Sequence, residues 1–186
     1  MNQLEGQHIR LRALEPEDEN TLYQWENDPE VWQVSNTLTP FSRFVLRQYL
    51  ADSRLDIFEA KQLRLVIENK ETNQSIGLID LYDFDPFHQR AGIGILIGEK
   101  AERGKGYAAD ALQVLIQYCF NYLLLNQIYC SINESNTISL HLFQQVGFRI
   151  TGKKEKWIRG FDRFSDEWFL QILREEWVDK ISKDGI

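Results

Sequence analysis

The chain has 186 residues, 43% hydrophobic and 26% charged, with a formal net charge of −7. That length suits one domain over 1–186 with its own core, and the acidic balance argues against a nucleic-acid binder, which needs a basic face. No apolar run reaches the about 20 residues of a membrane helix, and the opening MNQLEGQHIRLRALEPEDE lacks the basic-then-apolar layout of a secretion signal, so a cytoplasmic protein is expected. Cys119 and Cys130 sit inside apolar runs and read as free thiols of a reducing compartment. His8, His88 and His141 are scattered, so no metal site is expected.

Alternating IRLRAL (9–14) reads as a strand. Pro16 followed by Glu17, Asp18 and Glu19 starts a helix carrying Leu22 and Trp25 and stopping near NDPE. TPFSRFVLRQYLADS predicts a second helix with Thr39 as N-cap and Pro40 at its first position. LRLVIEN (63–69) and SIGLIDLYDF (75–84) form a hairpin about a polar turn, and RAGIGILIGE (90–99) is a third strand. Ala108, Ala111, Leu112, Leu115, Ile116, Cys119, Phe120 and Leu123 make one continuous helical face. QIYCSIN (127–133) returns as a strand, and a short helix runs from Asn136 to Gly147. FRITGKKEKWIRG and DEWFLQIL close the chain as antiparallel strands. One β-α-β crossover among antiparallel strands gives an α+β (mixed α/β) fold, a mixed sheet flanked by helices.

The strand over 91–98 puts Ala91, Ile93, Ile95 and Ile97 on one face and Gly92, Gly94, Leu96 and Gly98 on the other. A face stripped to hydrogen admits close approach, whether by a ligand, a bulge or a tightly packed neighbour. The following loop, ERGKGYA, precedes the long helix, so its unpaired amides and the helix dipole favour an anion. Gly104 and Gly106 permit the positive-φ turns that aim amides inward, and Arg103 and Lys105 add charge. A diphosphate fits that arrangement; a solvated basic turn is the plainer alternative. GKGYAA formally matches a dinucleotide fingerprint, but EKAER separates it from the strand and repeated parallel β-α-β units are lacking. A P-loop fails for want of Gly-Lys-Ser/Thr.

Arg103-x-x-Gly106-x-Ala108 resembles the pyrophosphate signature of the GNAT acyl-CoA N-acyltransferases. IRLRALEPED…LYQWENDPEVW resembles the start of the branch containing ribosomal-protein N-terminal and polyamine acetyltransferases, and NESNTISLHLFQQVGF is similar to that branch's Asn-x-x-Ser…Gly-Phe segment. The resemblance covers nearly the whole chain. It implies a GNAT domain whose mostly antiparallel sheet is splayed at the acyl-CoA site. The cofactor so implied is acetyl-CoA, with no metal expected. Its pantetheine arm pairs with the backbone of Ile95, Leu96 and Ile97, and its pyrophosphate is held by amides from Arg103, Gly104, Lys105, Gly106, Tyr107 and Ala108. Asn136 bonds the cofactor or simply caps its helix, and Phe143 packs near the thiol.

The implied reaction is direct attack of a neutral amine on the thioester, with a carboxylate or water chain taking the proton. Two positions depart from the family. Gly92 stands where many relatives carry glutamate, and Phe143 where many carry the tyrosine that protonates the thiolate. Asp80, a strand aspartate between Ile79 and Leu81, is the candidate base or else a strand-end carboxylate, with Asp83 and Glu68 in reserve. Ser139 relays a proton or caps the helix. Glu26, Asp28, Glu30, Asp80, Asp83 and Asp85 either line an amine cleft or are solvated turn residues. DFDPFHQRAGI resembles the corresponding loop of polyamine acetyltransferases, so a small di- or polyamine is the expected acceptor, ahead of a ribosomal-protein N-terminus. A non-catalytic acyl-CoA-binding module and a nucleotide-dependent oxidoreductase are the rivals. No nucleic acid or membrane partner is expected; Trp157, Phe161, Phe164, Trp168, Phe169 and Trp177 leave apolar surface that a second copy could cover.

Overall fold

A computed structural model describes residues 4–35, 37–52, 55–160 and 162–178, so Phe161 lies outside the described residues. Strand β1 (Ile9–Ala13) leads to a 3-10 turn, Pro16–Asp18, and then to α1 (Glu19–Glu26). The expected proline start holds: Glu15 and Asp18 form a reciprocal capping box around Pro16. Helix α2 (Pro29–Ser35) was not anticipated; Asp28 starts it by accepting from the Glu30 amide at 2.9 Å. Helix α3 (Arg43–Asp52) begins later than Thr39 and Pro40 predict. The cause is Asn27, whose amide oxygen takes the Phe41 N–H at 2.9 Å and whose nitrogen donates to the Phe41 carbonyl at 3.1 Å. This pairing ties Phe41 to the end of α1, and Ser42 caps α3 instead, its Oγ accepting from the Val45 amide. A one-turn helix, α4 (Ile57–Ala60), is capped by Asp56.

Strands β2 (Leu63–Asn69), β3 (Ser75–Asp85) and β4 (Arg90–Ile97) follow as an antiparallel meander. Helix α5 (Tyr107–Asn121) crosses to β5 (Gln127–Asn133), then come α6 (Thr137–Gln145), β6 (Arg149–Arg159) and β7 (Phe164–Leu173). The sheet order is β1-β2-β3-β4-β5-β7-β6, with β4 and β5 the one parallel pair among the described residues. Alternation along the strands divides two cores. Leu65, Ile67, Ile79, Leu81, Ala91 and Ile93 face α5, where Leu112, Leu115, Ile116, Cys119 and Phe120 are buried. Val66 and Leu78 face the other way, against Leu22 and Trp25 of α1 and Leu46 of α3. The central strands are apolar on both faces, as layers on both sides require. The β-α-β crossover leaves the ends of β4 and β5 on one edge of the molecule, where sheets with parallel strands hold their ligands.

Candidate active site at a fork in the sheet

Strands β4 and β5 pair only at Arg90–Gln127, Ala91–Ile128 and Gly92–Tyr129. Beyond Gly92 they separate: β4 stays on β3 as far as Ile97, while β5 stays on β7 through Asn133. Burial changes at the same place, since Ala91, Gly92 and Ile93 are buried and residues 94–98 half-buried. One edge of β4 is therefore left without a strand partner. The Ile97 carbonyl is turned to that side, where it accepts from Arg103 Nε at 3.0 Å. Alternation gives Ile95 the same outward orientation and turns Leu96 toward β3.

After β4 a short 3-10 turn, Lys100–Glu102, carries the chain to the glycine loop. Gly104 (φ 77°) and Gly106 (φ 88°) both take the left-handed conformation the sequence anticipates. Gly106 is the N-cap of α5, and no side chain caps the helix there. The first-turn acid, Asp110, points elsewhere: it accepts from the backbone of Gln7, His8 and Ile9 at 2.7–3.2 Å. The α5 amides are thus left facing outward beneath an exposed loop, the arrangement that binds anions. Arg103 also donates to Glu30 Oε2 at 3.3 Å, Lys100 pairs with Glu30 at 2.9 Å and Asp28 at 3.3 Å, and Lys105 pairs with Glu102.

On the other arm of the fork, Asn136 caps α6 by accepting from the Ser139 amide at 3.1 Å, and Ser139 is half-buried. Phe143 is buried in the α5-side core, edge to face with Phe148 at 5.1 Å. The glycine loop and the start of α6 thus stand at the ends of the two diverging strands. The expected cofactor residues thus belong to the free β4 edge, the loop that follows it and the helix that follows β5, with Phe143 in the core.

The carboxylates are less free than the sequence suggests. Asp80 takes Arg64 on both oxygens, at 2.5 and 3.2 Å, and the same guanidinium reaches Glu26. Glu68 is tied to Arg10 and Arg12, and Asp85 to Arg90 and the His88 amide. Asp83, exposed and at φ 49°, accepts from the Tyr129 hydroxyl at 3.5 Å, its one hydrogen bond among the described residues. The glycine face is not bare either. A Cβ at Gly92 would collide with the Tyr82 ring and one at Gly98 with the Trp25 indole; only Gly94 keeps ordinary space, Tyr82 being 3.9 Å away. Close approach is real, but this chain's own aromatics make it. Tyr82, Tyr129 and the Glu30 contacts escaped the sequence because their partners are distant along the chain.

Among the described residues no three His, Cys, Asp or Glu side chains come together to hold a metal, and no helix is long and apolar enough to cross a membrane.

A sheet forked between its parallel strands, with a glycine loop and uncapped helix at the mouth, defines a class of acyl-group transferases, and comparison bears this out. The Acetyltransferase (GNAT) domain profile matches residues 8–149, and the chain belongs to that family. Over 179 residues it is 32% identical to the uncharacterized N-acetyltransferase p20 of Bacillus licheniformis, covering 96% of this chain and 99% of that one. It is 28% identical over 145 residues to the spermidine N(1)-acetyltransferase of Escherichia coli K12, covering 78% and 75% of the two chains. The crystal structure of a Vibrio cholerae spermidine N-acetyltransferase with CoA and spermine has the same fold, with a TM-score of 0.83 at 24% identity over 92% of this chain and 98% of that one.

Proposed function

We propose that this acetyltransferase moves an acetyl group from acetyl-CoA to a primary amine of a small di- or polyamine within a ternary complex. The observation that carries the reading is the unpaired β4 edge running directly into a positive-φ glycine loop ahead of an uncapped helix. The residues fit the cofactor. In this reading the outward backbone of Ile95 and Ile97, with Leu96 between them, takes the pantetheine amides as an added strand would. Amides of Arg103 to Ala108 take the pyrophosphate, Asn136 offers its side-chain nitrogen beyond the cap, and Phe143 walls the thiol end from the core. When bound, acetyl-CoA supplies an activated thioester. The neutral amine nitrogen would bond to the carbonyl carbon, the carbon–sulfur bond would break, and the departing thiolate would take up a proton as the acylated nitrogen sheds one. Backbone amides along β4 stabilise the developing oxyanion.

The amine arrives mostly as an ammonium and must lose a proton first. With Arg64 on both oxygens, Asp80 in this reading fixes the floor of the site and water carries the proton off, with the half-buried Ser139 hydroxyl of α6 as the proposed relay. The relatives named as spermidine acetyltransferases support a polyamine acceptor.

The test is thiol release from acetyl-CoA against diamines, polyamines, N-terminal peptides and aminoglycosides. Saturable release, most efficient with a di- or polyamine, is expected. Release with peptides alone would make the protein an N-terminal acetyltransferase. Tight CoA binding without release for any amine would make it a binding module.

A further inference from the structure

Residues two strands apart in a sheet are separated by about 10 Å, twice the strand spacing. Tyr82 on β3 and Tyr129 on β5 both pair with Gly92 of β4, so the three lie in one cross-sheet row. Their rings nevertheless meet edge to face, with centroids 6.1 Å apart. They do so by leaning over Gly92, where the Cε2 and Cζ atoms of Tyr82 take the space of a side chain. Gly92 is also the last β4 residue paired with β5, so both phenols stand at the apex of the fork, on the face away from α5.

Beside them the β3–β4 register shifts between Tyr82 and Asp85, and Asp83 sits in that bulge at φ 49°. Such a bulge re-aims a side chain at the cost of local strain. Here it turns the Asp83 carboxylate to the Tyr129 hydroxyl, and the bond is loose at 3.5 Å. Among the described residues nothing hydrogen-bonds the Tyr82 hydroxyl. Burial pushes the Tyr82 phenol above its ordinary range, so it stays neutral and keeps its oxygen as an acceptor. Two half-buried aromatic rings in edge-to-face contact thus stand beside an exposed carboxylate that, among the described residues, has no ion pair.

Resting on the amine reading above, we infer that Tyr82, Tyr129 and Asp83 form the acceptor-recognition end of the site and select amines that carry a second positive charge. An ammonium offers three N–H donors and no acceptor, and it is attracted to ring faces as well as to carboxylates. The distal ammonium binds Asp83 and the phenol oxygens, while the reacting amine lies beside Gly94, where the nearest side-chain atom, Tyr82 Cε1, stands at ordinary contact distance, 3.9 Å from a Cβ position. The Tyr82–Gly92 packing makes this a paired feature, since a side chain at 92 would displace the ring.

The test compares 1,4-diaminobutane with n-butylamine, equal in chain length and differing by one charge. The wild-type kcat/KM ratio should favour the diamine by at least about tenfold. Asp83→Asn and Tyr129→Leu should each lower that ratio by about five- to thirty-fold, with the KM for acetyl-CoA unchanged. Asn suits the positive φ at position 83, so Asp83→Asn keeps the test clean if Tyr129→Leu misfolds. Calorimetric titration of the diamine onto CoA-loaded protein should show the same ranking without turnover. An unmoved ratio in Asp83→Asn, or no diamine binding by the wild type, overturns the inference. Diamine binding that Asp83→Asn weakens, with no thiol release from any amine, would instead sink the proposed transfer and leave the recognition site standing.

Discussion

Arg64 holds Asp80 through both carboxylate oxygens, Nε to Oδ1 at 2.5 Å and Nη2 to Oδ2 at 3.2 Å. The third guanidinium nitrogen reaches Glu26 at the end of α1, and the ring of Tyr49 from α3 lies 5.5 Å from the guanidinium carbon. One side chain of β2 thus fastens the β3 strand to the α1–α3 layer. Removing a partner from such a cluster leaves a charge undercompensated.

Asp80→Asn is expected to destabilise the fold by about 1–3 kcal/mol, discounted from a fully buried pair because both side chains keep some solvent contact. A melting temperature lower by about 3–8 °C would report it. If Asp80 fixes the floor of the site instead of accepting the proton, the acid limb of kcat/KM against pH will superimpose on that of the wild type. A displaced limb would restore Asp80 as the base.

Gly106 should tolerate substitution poorly for a backbone reason. A Cβ there meets no atom within 4 Å, so the barrier is its φ of 88° and not space. Gly106→Ala should cost about 1–2 kcal/mol of stability. Gly106→Glu adds a carboxylate among the α5 amides and should weaken CoA binding at least about tenfold, read by calorimetry. Pantetheine, which lacks the phosphates, should bind both variants alike. Unchanged CoA affinity in Gly106→Glu would remove the pyrophosphate from this loop.

What the sequence disclosed were features carried by local pattern: the alternating strands, the α5 face, the proline start before α1 and the glycines that take positive φ. Where it misled, the deciding partner was remote. The late start of α3 follows from Asn27 holding Phe41 fourteen residues on. The glycine face of β4 was legible, but its occupants, Tyr82 and Trp25, come from other elements. Periodicity cannot say which acid meets which base, so the sequence names Asp80 as a candidate base without disclosing that Arg64 donates to both its oxygens. The short α4 has too few residues for a periodic signal.

The two cysteines give a prediction about access. Cys119 is fully buried and Cys130 2% exposed, and burial pushes both thiols well above their ordinary range. Nucleophilic attack needs the thiolate, so neither should react with an aromatic disulfide reagent near pH 8 in the native protein. Both should titrate once the protein is unfolded in guanidinium. Rapid native reaction of either thiol would mean that the α5-side core opens locally on the timescale of the assay.

Glu30 leads to the sharpest expectation about the cofactor loop. From α2 its carboxylate engages Lys100 at 2.9 Å and Arg103 at 3.3 Å, the cations flanking the glycine turn. Hydrogen bonding from Lys100 first, and then from Arg103, holds the Glu30 carboxyl below its ordinary range, so it is charged at neutral pH. If the glycine loop takes the diphosphate as proposed, Glu30 competes with it for the same cations and also repels it. Solvent screens these exposed groups, so the competition is modest. Glu30→Gln should bind CoA about two- to five-fold more tightly at low ionic strength, with the advantage fading as salt shortens the Debye length. Pantetheine affinity should stay constant, since nothing in that molecule contests Arg103 or Lys100. Weaker CoA binding by Glu30→Gln would mean the carboxylate positions the two cations for the phosphates, and α2 would then be part of the cofactor site.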